Sequence, residues 1–251
     1  FVYVNNSDLI IKDLASKIRN LGKGYNLNDD QIMELALCFV QNIPYDSSKA
    51  ETILSGQNIS EYDRSQYPYE TIFKNSGICT DKAYLGSSLL RELGYSSALL
   101  LFGDDNHMAL GVKVNKDYAN FNSDYAIAEV TTPGFIPGDL PKDIDDNDGK
   151  PSLVLELPQK LGHNNKINTQ KFLAESDLSY PTVVIPISDG KTYERIRNVK
   201  HLEAMIYQGI EELEEIAHSI ETMEYDLIDA EDNASYAYND YLNQPDYNQR
   251  C

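Results

Sequence analysis

Gly77-Ile78-Cys79-Thr80-Asp81-Lys82-Ala83-Tyr84, running on to Gly94, reads as a glycine turn that delivers a cysteine to the first turn of a helix. Ala83, Leu85, Leu89, Leu90 and Leu93 recur on one face at helical spacing. Gly94 stands where a helix C-terminus takes a glycine. A thiol in a first helical turn lies among unpaired N–H groups at the positive end of the helix dipole. That setting favours the thiolate, which is the nucleophilic form. The other reading of an isolated cysteine is a small buried hydrophobe, and this stretch alone leaves both open.

Upstream, Ser7 or Asp8 can cap a first helix with apolar positions at Leu9, Ile10, Leu14, Ile18 and Leu21, ended by Gly22 and Gly24. Asn28 can cap a second, with Asp29, Asp30 and Glu34 where the dipole favours acids. Its expected buried stripe is Ile32, Leu35, Ala36, Phe39 and Val40. Cys38, between Leu37 and Phe39, is read as core packing. Pro44 closes this helix, because the residue before a proline is pushed out of the helical region. Residues 46–70 are polar and turn-rich, with aromatic surface at Tyr62, Tyr67 and Tyr69, and read as a rim without regular periodicity.

Downstream the period becomes strand-like. Ser97-Ala98-Leu99-Leu100-Leu101-Phe102 is a short apolar run suited to a buried strand. Gly103-Asp104-Asp105-Asn106 is a turn, and His107 opens a second strand reaching Val114. A third runs from Tyr125 to Thr131 and carries Glu129. Each spacing accommodates one antiparallel crossing, so His107 and Glu129 can be neighbours in a sheet whose edge the Cys79 helix overlies.

The composition narrows the chemistry. At 41% hydrophobic, the 251 residues can bury a sizeable core in one large domain with or without an extension. A net charge of −19, from 40 Asp+Glu against 21 Lys+Arg, sets the chain against nucleic acid and anionic lipid as partners. The three cysteines, Cys38, Cys79 and Cys251, are far apart, which argues against a disulfide framework and a CxxC zinc site. No pair among His107, His163, His201 and His218 has HExxH spacing, so neither a metal nor another cofactor is expected. No apolar run is long enough to span a bilayer. A signal or anchor outside this stretch would leave an extracytoplasmic or cell-surface location open.

Taken together, Tyr67-Pro68-Tyr69-Glu70-Thr71-Ile72, the Gly77–Lys82 turn, Leu89-Leu90-Arg91-Glu92-Leu93-Gly94-Tyr95, Asn106-His107-Met108-Ala109 and the Tyr125–Gly134 segment resemble the transglutaminase-like superfamily of papain-type cysteine enzymes. The resemblance covers about residues 28–140. It implies an α+β fold with N-terminal helices packed on an antiparallel sheet. It also implies a Cys nucleophile, a His that activates it and an acid that orients the His, roles that fall on Cys79, His107 and Glu129. The third position is more often Asp in that superfamily, and Asp124 is the fallback acid. The backbone N–H of Cys79 can serve as one oxyanion donor. Gln41 and Tyr45 are candidates for a second donor, which the resemblance places upstream of the cysteine. Asp81 reads as a stabiliser of the helix start.

The rest of the chain is less specific. Asp143, Asp145, Asp146 and Asp148 lie in a Pro- and Gly-rich stretch without the closing Glu of a calcium loop, and read as a solvated loop. Residues 152–157 and 180–187 read as two further strands, and His163 as an exposed loop residue. From Thr192 a near-heptad series runs through Ile196, Val199, Leu202, Ile206 and onward to Leu227, giving a long C-terminal helix with acidic flanks. That helix can pack on the core or form a homo-oligomer through residues 192–230. Residues 232–251 read as disordered. The resulting division is a helical segment 1–27, a catalytic domain 28–190, an amphipathic helix 191–231 and a tail.

Two functions are compatible with these residues. One is a thiol enzyme acting on protein or peptide amide bonds through a Cys79 thioester, as a cysteine peptidase or amidase, or as a transglutaminase. The other is a catalytically inactive transglutaminase-like binding or assembly module on a helical stalk.

Overall fold

The computed structural model describes residues 9–56, 60, 64–139, 143–144, 151–152 and 181–243. His163, Cys251, Asp145, Asp146, Asp148 and most of the expected 152–157 strand lie outside the described residues. Five helices precede the sheet: α1 (Leu9–Gly24), α2 (Asp29–Gln41), α3 (Ser47–Ser55), α4 (Pro68–Lys74) and α5 (Cys79–Leu93). The strands β1 (Ser97–Phe102), β2 (His107–Lys113), β3 (Tyr125–Ala128) and β6 (Val183–Ser188) form one antiparallel sheet in the order β3-β2-β1-β6. A two-residue pair, β4 (Asp143–Ile144) with β5 (Pro151–Ser152), stands apart from it. The fold is α+β, with helices packed on an antiparallel sheet and a long C-terminal helix, α6 (Ile196–Leu242).

Helix α5 is the hub. One side lies on β1 and β2, and α1, α2 and α4 pack around the other. Leu85, Leu89, Leu90 and Leu93 share one buried cluster with Leu110, Val112 and Val130 from the sheet side and Ile11, Ile32 and Val40 from the helices. Each such side chain contributes about 1.5–3 kcal/mol by leaving water, so the helix that carries Cys79 is also the one most of the core rests on. Gly94, at φ +86°, closes it in the left-handed conformation that glycine adopts without strain.

Several elements depart from the periodicity reading, each for a physical reason. Helix α1 buries Ile11, Ala15, Ile18 and Gly22, leaving Leu9, Ile10 and Leu21 exposed. Its face is turned by one residue because Gly22 leaves room for the Ile32 side chain, so small residues decide the contact with α2. Helix α2 starts at the Asn28 cap as expected but buries Met33 and Leu37 and exposes Phe39 and Cys38. Cys38 is therefore a surface thiol, not core packing.

Within the polar 46–70 stretch, Asp46 caps α3 by accepting from the Lys49 N–H, and Gly56 ends it. The helix buries Lys49 and Ala50 rather than an apolar stripe, which is why periodicity is silent there. Helix α6 continues to Leu242, past the expected end at 231 and into the segment expected to be disordered. Between 232 and 242 there is no Gly or Pro, and Ala234, Ala237 and Tyr241 prolong the three-four spacing.

The segment after β6 returns to the head of α2. Tyr193 and Ile196 are buried in the main cluster. Asp30 accepts from the Tyr95 hydroxyl at 2.6 Å and from the Arg195 N–H at 2.8 Å. Gly190 lies against the C-terminus of α5, where an added Cβ would stand 2.4 Å from the Gly94 carbonyl oxygen. We expect Gly190→Ala to destabilise the fold by about 2 kcal/mol through forced backbone displacement, read as a lower urea midpoint.

The chain divides into two compact units. The first holds the sheet, α1–α5 and the start of α6, and the second holds α6 from His201 onward.

Candidate active site

Ile78 stands at the N-cap of α5 and Cys79 is its first helical residue. Gly77 is required by close packing, since a Cβ there would come within 2.9 Å of the Asp81 Cβ. The turn is held against the exit of α2: the Gly77 N–H donates to the Pro44 carbonyl at 3.2 Å and the Asp46 N–H to the Gly77 carbonyl at 3.3 Å. Asp81 reaches back to accept from the Ile78 N–H at 3.1 Å. It also accepts from the Gln66 N–H and the Lys49 ammonium, both at 2.7 Å. It is completely buried and braces the start of the helix, as its first-turn position implies.

The sheet supplies the other two groups. β3 pairs with β2 from Leu110 to Lys113 and ends at Ala128. Continuing that register by one residue sets Glu129 across from Ala109, two positions from His107. The two side chains meet, with Nε2 of His107 2.8 Å from Oε2 of Glu129 and both side chains sealed from solvent. An ionised carboxylate only accepts, so Nε2 is the protonated donor. The second carboxylate oxygen of Glu129 accepts from the Thr131 N–H at 2.7 Å and the Thr131 hydroxyl at 2.6 Å. Nδ1 of His107 is buried without a hydrogen-bond partner of ordinary geometry. With Nε2 committed to Glu129, Nδ1 is the nitrogen left for the interaction of the ring with the Cys79 thiol.

The electrostatics are mutually reinforcing. Burial opposes ionisation of Cys79, but the neighbouring His107 ring and its charge, with the Met108 N–H, outweigh it and lower the thiol below its ordinary value. Burial likewise opposes a charged imidazole. The Glu129 charge and hydrogen bond, with the Cys79 thiol beside the ring, overcome it, and His107 is pushed up to about 10. Burial works against the Glu129 carboxylate too, and the charge and hydrogen bond of His107, with Thr131, hold it below the usual range. All three shifts run in the direction that favours charge separation between thiol and imidazole, with an ionised carboxylate behind them.

The loop that carries Glu129 is anchored by two buried side chains. Gln41 spends its amide N–H groups on the Glu129 and Phe135 carbonyls, each at 2.8 Å. The Lys82 ammonium donates to the carbonyls of Gln41 (3.1 Å), Ile43 (2.7 Å) and Thr131 (3.0 Å). Gln41 thus stands as a strut behind the acid. Tyr45 lies beside the cysteine turn through its backbone bridge to Gly77. Asp124 sits on the surface, 3.7 Å from Lys116, and is not brought to His107.

Lys82 and Thr131 were not assigned roles from the sequence. The signal for Thr131 is local, because a threonine two residues after a carboxylate can return both its N–H and its hydroxyl to it. No comparable signal marks Lys82, whose partners lie 39 to 49 positions away. Among the described residues no group of three or more His, Cys, Asp or Glu side chains is arranged to hold a metal ion, and no helix is long and apolar enough to cross a membrane.

Comparison with known proteins bears on the fold rather than on the site. A family model described as a transglutaminase-like domain matches residues 11–132, from within α1 to just past Thr131. A UPF0252 protein of Archaeoglobus fulgidus is 34% identical over 90 residues, covering 31% of this chain. The match spans 29% of that relative's length. No solved structure matches the chain.

Proposed function

We propose, from the premise that residues 11–132 match a transglutaminase-like domain, that the protein is a thiol enzyme of amide bonds, a cysteine peptidase or amidase with a protein or peptide substrate. The observation that carries this reading is the buried 2.8 Å contact between His107 and Glu129, which leaves one imidazole nitrogen for a thiol at a helix N-terminus. A stalk-borne binding module has no need of a desolvated imidazole–carboxylate pair, which is costly to bury.

In this mechanism the Cys79 thiolate adds to the carbonyl carbon of the amide. The oxyanion takes the Cys79 backbone N–H, left unpaired by the start of the helix. His107 gives its Nδ1 proton to the departing amine as the C–N bond breaks, leaving a thioester. Water attacks the thioester, its proton passes to His107, and the acid leaves as the thiolate re-forms. Glu129 keeps Nε2 protonated throughout and stabilises the cation. An amine in place of water would give transamidation.

The test is single-turnover reaction with peptide amides, followed by intact mass with and without an added primary amine. A Cys79-bound acyl adduct that decays to free acid supports hydrolysis. Decay only to the amide assigns a transglutaminase, and failure to acylate Cys79 rejects the enzyme. Glu129→Gln is expected to slow alkylation of Cys79 by iodoacetamide at pH 6 by about tenfold or more, within the range that acid–base groups contribute. The variant keeps the shape of the side chain and loses the charge that holds the imidazolium.

A further inference from the structure

From Leu202 to Tyr241, helix α6 carries an unbroken three-four repeat, and its second half substitutes alanine at 230, 234 and 237. Within its own unit the large members of this seam stand open: Leu213, Ile216, Ile220, Met223 and Leu227 are each more than half exposed. Gly209, on the same seam, has nothing within 4 Å of where a Cβ would stand, so the position can receive a large side chain. A seam of strict seven-residue period is the pattern by which one helix packs into another as a coiled coil.

The charge around the seam selects the kind of partner. Residues 201–242 hold eight Glu and four Asp and no Lys or Arg. On the heptad, Glu212, Asp226 and Asp240 border the seam on one side and Glu224 and Glu231 on the other. These are the positions that meet the flanking residues of a paired helix and set partner choice. A second parallel copy would bring Asp226 of each chain against Glu231 of the other, within a pair of helices holding two dozen carboxylates and no compensating Lys or Arg. We infer that α6 is a docking surface for a basic amphipathic helix of another protein, one with apolar a and d positions and Lys or Arg at e and g. Apolar burial along the seam supplies the contact, and the acidic borders reject acidic helices, including a second α6.

The experiment uses the full chain and two synthetic heptad peptides with the same Leu/Ile seam, one with Lys and one with Glu at every e and g. Binding is read by fluorescence anisotropy at pH 7 and low salt. The Lys peptide is expected to bind about 100-fold tighter than the Glu peptide, since several border pairs change from repulsion to attraction. Its affinity should fall by about tenfold as the salt is raised from about 0.05 to about 0.5 M and surface charges are screened. Ile216→Asp with Ile220→Asp should abolish binding while circular dichroism reports an intact helix. The triple change Glu212→Lys, Asp226→Lys and Glu231→Lys should reverse the preference toward the Glu peptide.

Four results would overturn the inference. One is equal binding of both peptides. Another is Lys-peptide binding that survives the two Asp substitutions, which would make it charge alone. The third is a chain that sediments at twice its mass, the seam then being covered by a second copy. The last is no binding at about 100 μM by a chain with intact helix, a ceiling that already allows an interaction as weak as about 5 kcal/mol.

Discussion

His107→Ala should convert Cys79 from a thiol that alkylates rapidly in mild acid into an ordinary one. The wild-type thiol is held below its usual value by His107 against the opposing effect of burial. Its labelling by iodoacetamide should therefore level off at a lower pH than that of a free thiol. The thiolate–imidazolium pair persists from the depressed value of Cys79 up to the raised value of His107, at about 10. Without the imidazole, the thiol keeps the burial penalty and loses the cation.

At pH 6 a thiol of ordinary pKa is only about 0.3% ionised, though the thiolate it does form is intrinsically more reactive, which returns part of the loss. A net fall of about tenfold or more at pH 6 is expected, with a rate that climbs about tenfold per pH unit through neutrality. The slope is the stronger diagnostic, because a merely mispositioned thiol would slow without changing its titration. Peptide mapping separates Cys79 from the exposed Cys38. An unchanged rate and profile in His107→Ala would end the dyad.

Lys82→Met is expected to cost about 3 kcal/mol of stability, a large share of the 5–15 kcal/mol that holds a typical domain. The ammonium satisfies three buried carbonyls, on Gln41, Ile43 and Thr131. Methionine matches the shape of the chain and donates nothing, so each carbonyl loses a charge-assisted bond. Relief of the lysine's own desolvation returns part of that cost. The midpoint of urea unfolding measures the loss. The same substitution removes one of the two ties between the exit of α2 and the loop that carries Glu129, leaving only the Gln41 amide to hold it. Folded Lys82→Met should therefore also label more slowly at Cys79 at pH 6, which a distant destabilising change such as Gly190→Ala would not do.

The parts of this protein that were legible in the sequence are those encoded by short-range pattern. The α5 stripe, the β1–β2 hairpin and the Asn28 cap each depend on residues within one or two turns of each other. Glu129 was legible because its strand spacing brings it near His107. The face of α1 escapes a hydrophobic count because Ala15 and Gly22 act by being small, and such a count gives weight only to large residues. Helix α3 was missed because what it buries is Lys49, whose partner Asp81 lies 32 positions away. Lys82 is the same case. A buried cation at the end of a long chain-crossing contact looks, in one dimension, like any solvated lysine.

Helix α5 places the Cys79 sulfur on the part of the chain that most of the core rests on. Local opening of its first turn cannot occur without disturbing the Asp81 braces and the leucines below it. Amide protons in α5 should therefore exchange with solvent only through near-global unfolding, at the slow end of the protein's range. Cys79 inherits that persistence, so under the proposed function the freedom a substrate needs to enter has to come from the surrounding segments rather than from the thiol itself.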